Sequence, residues 1–266
     1  MSLKSDKKAL AGVPAAEEKS ISEKKAPFAV VEAYKLIRTN LLFVLAQEKG
    51  KTVAVSSAGA NEGKSTTTVN IAIAFSQLGG KVLLVDADLR RSTVHKKLRI
   101  ENKDGLSDVL VGFSDFENAV QHLNANLDVL TAGSTPPNPS ELLGSQRFEE
   151  FVSLVEQKYD YILIDTPPIN IVSDALVISQ RTAGLVLIVR DGVTPYDAIE
   201  HTFESAKFAG INILGTIMNG VNAKASKRYS YRKYGSNKYG YGYGYGSYGG
   251  YGNYDRSPRA GSENSK

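Results

Sequence analysis

The chain has 266 residues, 42% apolar and 23% charged, with 24 glycines and neither cysteine nor tryptophan. This excludes collagen-like, disulfide-framework and wholly disordered proteins, as well as thiolate nucleophiles, zinc-thiolate sites and iron-sulfur clusters, and His95, His122 and His201 lack the paired spacing of a metal site. The net charge of +4 is unevenly divided: residues 222–266 hold nine Lys/Arg against two Asp/Glu, residues 1–25 carry +2, and the middle is about −5, a poor surface for nonspecific nucleic-acid binding.

Residues 1–25, rich in Lys, Glu, Ser and Ala, hold almost no large apolar side chain to offset the entropy of ordering, and read as a flexible segment. They contain no secretory apolar stretch, no uncharged apolar run approaches the ~18 residues of a membrane span, and the expected location is the cytoplasm. From Phe28 to Ala46, the residues Val31, Tyr34, Ile37, Leu41, Leu42 and Leu45 recur at three to four, which predicts an amphipathic helix. Strands are expected over Thr52–Ser56, Val82–Asp86, Leu127–Leu130, Tyr159–Asp165, Leu185–Arg190 and Ile211–Met218, with helical stretches between them. Short continuous Val/Ile/Leu runs are what a parallel sheet covered on both faces requires, so residues 26–221 read as one α/β domain of three layers. After Val221 the composition changes: residues 229–254 hold ten tyrosines and eight glycines, too little apolar variety for a packed element, and 222–266 are predicted to be a disordered arm.

The strongest chemical signal lies between the first strand and the helix predicted over Thr67–Leu78. Ala58-Gly-Ala-Asn-Glu-Gly-Lys-Ser65 reads as a P-loop, in which backbone N–H groups of residues Gly59, Ala60, Asn61, Glu62, Gly63 and Thr66 face phosphates, Lys64 reaches the β and γ oxygens, and Ser65 ligates magnesium. Ala58 replaces the usual first glycine. Asn61 also stands where glycine is common, and asparagine is the residue that best tolerates a positive φ there. Asp165, ending the run Tyr161-Ile-Leu-Ile, supplies the metal-positioning acid of a Walker B element. A second acidic strand end, Asp86-Ala-Asp88-Leu-Arg90-Arg91, places two carboxylates and two guanidinium groups at the same sheet edge. Of the two carboxylates, one would serve the metal and the other act as base.

These three segments together resemble the bacterial tyrosine kinases of capsule and exopolysaccharide synthesis, over residues 28 to about 221 and the tail. Glu32-Ala-Tyr-Lys35-Leu-Ile-Arg38, Gly105-Leu-Ser-Asp-Val-Leu110, Pro136-Pro-Asn-Pro-Ser-Glu-Leu-Leu143 and Met218-Asn219 agree with the same family. The resemblance implies a P-loop NTPase-like fold with a mostly parallel central sheet, ATP and Mg2+ as cofactors, and catalysis by Lys64, Asp86, Asp88 and Asp165. It also implies magnesium ligation by Ser65, Asp86 and Asp165, with Arg190 and Asn219 near the nucleotide. The acceptors would be the tail tyrosines Tyr229, Tyr231, Tyr234, Tyr239, Tyr241, Tyr243, Tyr245, Tyr248, Tyr251 and Tyr254 of neighbouring copies. Glu32, Lys35 and Arg38 would form the interface of a ring-like homo-oligomer, although the family has arginine where Lys35 stands and lysine lacks the bidentate fork. The implied partners are a membrane-bound polysaccharide chain-length regulator as activator, which would hold the kinase at the inner face of the membrane, and a phosphotyrosine phosphatase; nucleic acid is not among them.

Two other readings compete. A partitioning or positioning ATPase of the same loop class would carry a lysine four residues before the final loop glycine, where this chain has Gly59, and would lack the tyrosine arm. An adhesive or RNA-condensing protein would use the Tyr/Gly repeats for stacking but leave the ordered phosphate motifs unexplained.

Overall fold

The structure, a computed structural model, describes residues 26–48 and 50–221. Residues 1–25 and 222–266, expected to be a flexible leader segment and a disordered arm, lie outside the described residues. In chain order the elements are α1 (Phe28–Leu45), β1 (Thr52–Ser57), α2 (Lys64–Ser76), β2 (Val82–Asp86), α3 (Val94–Leu98), α4 (Leu106–Val111), α5 (Phe116–Ala119), β3 (Gln121–Asn124) and β4 (Leu127–Leu130). They continue with α6 (Pro139–Leu143), α7 (Gln146–Lys158), β5 (Tyr161–Asp165), α8 (Asp174–Ser179), β6 (Gly184–Arg190), α9 (Tyr196–Phe208) and β7 (Ile213–Asn219).

The strands form one seven-stranded sheet in the order β3-β4-β2-β5-β1-β6-β7, parallel throughout except for β3 against β4. Because successive side chains alternate between faces, each central strand feeds two cores. Val53, Val55, Leu84, Leu163, Val186 and Ile188 pack with Leu41, Leu45 and Phe75 on one face. Ala54, Leu83, Val85, Ile162, Ile164 and Leu185 pack with Leu106, Phe148, Val155 and Ala206 on the other. This is the physical reason the strands read as unbroken apolar runs: neither face meets water. Phe75 anchors the first core, fully buried and edge-on to Tyr161 with ring centroids 4.7 Å apart, a burial that contributes about 1.5–3 kcal/mol.

Parallel pairing brings the C-terminal ends of β1, β2, β5, β6 and β7 to one sheet edge, where ligands bind in such folds. The register sets Asp86 opposite Asp165 and Arg190 opposite Asn219. Several expectations need adjustment: β5 begins at Tyr161, not Tyr159, since Tyr159 closes α7, and β7 runs Ile213–Asn219, not Ile211–Met218. The sheet gains β3, a four-residue edge strand of half-polar sequence that pairs through a tight turn in which Asn126 N–H donates to Asn124 Oδ1 at 2.9 Å. Helix α2 begins at Lys64, not Thr67, because Gly63 at φ +88° turns the chain directly into it. Among the described residues no helix is long and apolar enough to cross a membrane.

Candidate active site

The loop from β1 to α2 is shaped by two left-handed residues, Asn61 at φ +62° and Gly63 at φ +88°. Asparagine at 61 thus does what the sequence pattern asks of it. No side chain caps α2, and its first turn lines a cavity of about 410 Å³, so the cavity meets the positive end of the helix dipole. Opposite the loop stand Asp88, Arg90, Arg91 and the Pro168–Val172 turn.

Lys64 is the centre of the charge arrangement. Its buried ammonium donates to Asp165 Oδ1 at 3.0 Å and Ser65 Oγ at 3.1 Å, and lies 3.7 Å from Asp88 Oδ2. Thr68, one turn along α2, also donates to Asp165 Oδ1, at 3.1 Å. Asp165 Oδ2 is buried and has no partner among the described residues. A buried carboxylate oxygen without a donor, beside the Ser65 hydroxyl, suits a hard cation that shares its remaining ligands with phosphates and water. No three His, Cys, Asp or Glu side chains gather as a ready-made metal centre among the described residues.

β2 ends at Asp86, and Ala87 N–H completes its pairing with β5 by donating to Asp165 O at 2.8 Å. Asp86 is fully buried, with Oδ1 accepting Asp88 N–H at 3.2 Å and Oδ2 accepting Thr93 and Val94 N–H at 3.1 and 3.0 Å. Burial and the neighbouring Asp165 push its pKa up to about 7, against the opposing effect of the Val94 hydrogen bond and Lys64. Asp88 lines the cavity, and its Oδ1 accepts Arg91 N–H at 2.9 Å.

The opposite flank of the loop is tied to the ends of β6 and β7. Arg190 Nη1 donates to Asn61 O at 2.7 Å, and Asn219 Nδ2 donates to Glu62 O at 2.9 Å. The buried Glu62 carboxylate accepts from Thr194 Oγ1 at 2.8 Å, and that hydroxyl accepts Arg190 N–H at 2.9 Å.

A family model described as an AAA domain matches residues 50–191. Tyrosine-protein kinase YwqD of Bacillus subtilis is 43% identical over 206 residues, covering 77% of this chain and 86% of that one. The chain belongs to the bacterial tyrosine kinases. Tyrosine-protein kinase etk of Escherichia coli K12 is 36% identical over 202 residues, covering 76% of this chain but 28% of its own length, so this kinase spans a little over a quarter of that longer relative. Among solved structures, the chimerical protein CapA2B2 superposes with a TM-score of 0.72 at 32% identity, covering 78% of this chain and 91% of that one.

Within this kinase the structure brings Gly59 to Thr66, Asp86, Asp88, Asp165, Arg190 and Asn219 to one sheet edge. Glu32, Lys35 and Arg38 lie apart from it on α1: Lys35 Nζ donates to Glu32 Oε1 at 3.0 Å, and Arg38 Nη1 donates to Ala74 O in the last turn of α2 at 2.8 Å. The ten tail tyrosines lie outside the described residues. Thr68, Ser140, Asp174 and Thr194 join the site's hydrogen-bond network although the sequence pattern does not single them out. Ser140 had a signal, since it sits in the Pro136–Leu143 segment; Asp174 and Thr194 had none.

Proposed function

We propose that this kinase transfers the γ-phosphoryl group of ATP to the tyrosines of residues 229–254 in neighbouring copies of itself. The observation that carries the reading is the Lys64 ammonium held between Asp165 and Asp88 at the mouth of the phosphate loop. Phosphoryl transfer asks chiefly for positioning and charge stabilisation. The loop N–H groups and Lys64 cradle the phosphates and meet negative charge developing on the γ oxygens, in a largely buried setting where each donor counts for more than in water. Ser65 and Asp165, with Asp86 behind them, would hold magnesium, and the ion would supply charge neutralisation to the phosphates. Asp88 is the base: it faces the cavity, whereas both Asp86 oxygens already receive backbone N–H groups. As the phenol oxygen bonds to phosphorus, the phenol proton, with a pKa of about 10, passes to Asp88 while the bridging oxygen departs with the nucleoside diphosphate. Asn219 and Arg190 hold the loop from the side and border the nucleotide.

On this reading Glu32, Lys35 and Arg38 form the contact of a ring-like oligomer, and the tail is both substrate and switch. Each phosphate adds about −1.5 to −2 charge, so four modified tyrosines cancel the excess positive charge of residues 222–266 and loosen the assembly. A membrane-bound polysaccharide chain-length regulator would activate the kinase at the inner face of the membrane, a phosphotyrosine phosphatase would reset it, and the output would be control of capsular or exopolysaccharide synthesis. The test mixes a Lys64→Met chain bearing an intact tail with an active chain truncated after Val221, in Mg-ATP, and maps phosphotyrosine by mass spectrometry. Label between Tyr229 and Tyr254 of the inactive chain supports transfer between copies. An unlabelled inactive chain, beside self-labelling wild type, overturns it.

A further inference from the structure

The Pro136–Leu143 segment and the guanidinium group of Arg90 have no part in the chemistry described so far, yet they meet. Arg90 Nε donates to Asp174 Oδ2 at 2.8 Å and its Nη2 to Asp174 Oδ1 at 3.2 Å, a two-pronged pairing. The same Nη2 donates to Ser140 Oγ at 3.0 Å, and the Ser140 hydroxyl in turn donates to Asp174 Oδ1. Asp174 is fully buried in the first turn of α8, and Ser140 sits in the first turn of α6, behind Pro136, Pro137 and Pro139, whose fixed φ angles leave little freedom in the approach.

A buried carboxylate is a costly way to join two loops, since apolar residues of similar volume hold such places as well or better. What the ion pair adds is direction. It fixes two nitrogens of Arg90 and leaves Nη1 without a partner among the described residues, on a side chain that is 39% exposed and lines the phosphate cavity. The effect also reaches Asp88. Asp86 Oδ1 accepts the Asp88 N–H and Asp88 Oδ1 accepts the Arg91 N–H, so residues 86–91 form a closed turn with Arg90 inside it. Holding Arg90 therefore holds the carboxylate two residues before it.

We propose that Ser140 and Asp174 are positioning residues for phosphoryl transfer, which clamp Arg90 so that its free nitrogen faces the phosphate cavity and the Asp86–Arg91 turn keeps Asp88 beside Lys64. The inference rests on the reading above in which Asp88 serves the acceptor hydroxyl. On it, the Pro136–Leu143 segment serves to present one hydroxyl, in one direction, to the far side of the arginine.

The test compares full-length wild type with Ser140→Ala, Asp174→Asn, Arg90→Lys and the double variant Ser140→Ala/Arg90→Lys. Three readouts are taken: the initial rate of tail labelling at saturating Mg-ATP, the Kd of a fluorescent ATP analogue, and the melting temperature. Ser140→Ala and Asp174→Asn are expected to label roughly 10- to 100-fold more slowly, the size of effect that a misplaced catalytic group produces. Their nucleotide Kd should stay within about threefold of wild type, because the binding loop is untouched. The double variant should be no slower than Arg90→Lys, since both changes disable one device. Should Asp174→Asn fail to fold, Ser140→Ala decides, as it removes a single half-buried hydroxyl. A folded Ser140→Ala that labels at the wild-type rate overturns the proposal, as do losses that add in the double variant or track nucleotide affinity. A Lys64→Met control separates the two levels: if it is dead while Ser140→Ala is normal, only the positioning role fails. If Lys64→Met retains the wild-type rate, the phosphate-site reading fails with it.

Discussion

The phosphate edge and helix α1 each carry lysine-carboxylate pairs with the same 3.0 Å separation, and the two pairs do different work. Lys64 and Asp165 are shielded from water, packed beside two further carboxylates, and no partner can leave without exposing a buried charge. Lys35 and Glu32 lie on a helix that buries only Leu41 and Leu45, with both side chains open to solvent on one side. Distance alone says little about an ion pair; the water around it decides how much the pair contributes within its own chain.

Substitutions can break this contrast or sharpen it. Lys64→Met is expected to cut tail labelling by at least about 10²-fold, since it removes the cation facing developing phosphate charge. It should also lower stability by about 1–3 kcal/mol in urea titration, less than the full cost of an unpaired buried charge, because Asp86, already raised to about 7, can take up a proton. Retention of half the wild-type labelling rate would remove Lys64 from the mechanism. Asp165→Asn is expected to cost about 10²-fold and to flatten the dependence of rate on magnesium concentration; an unchanged magnesium titration would break the metal assignment. Thr194→Val leaves the buried Glu62 carboxylate without its hydroxyl donor and should cost about 1–3 kcal/mol, read as a lower urea midpoint, with weaker ATP binding. At the small end, Glu32→Ala should change stability by no more than about 0.5 kcal/mol. A larger loss for the monomer would mean that α1 is not the solvated surface its exposure indicates.

The same contrast explains what the sequence made legible. The parallel sheet announced itself because strands covered on both faces must be apolar along their whole length, and the phosphate loop did so because phosphate recognition by backbone requires an unusual run of small and left-handed residues. Asn61 was readable for that reason. β3 was not: four half-polar residues at a sheet edge satisfy no strong periodicity. Contacts set by tertiary packing were also hidden. Nothing local in Arg38 foretells that it donates to Ala74 O at the end of the very helix that opens with Lys64, and nothing in Asp174 or Thr194 foretells that they meet Arg90 and Glu62. The pairing of Asp86 with three backbone N–H groups separates its role from that of Asp88, a distinction that two acids at a strand end do not reveal by spacing.

Gly63 has one further consequence, for the order in which the molecule assembles. A Cβ at this position would lie 2.0 Å from Asn219 Nδ2, and the same amide holds Glu62 O from 157 residues away in sequence. The phosphate loop is therefore cast against the end of the last strand. A contact of such separation pays its loop-closure entropy late, after the local and central elements have formed. As the chain is synthesised, the segment that grips ATP emerges early but stays unshaped until β7 has paired with β6. Nascent chains stalled before residue 211 should fail to retain ATP on a nucleotide resin, while those released past residue 221 should hold it, so that nucleotide capture reports completion of the sheet.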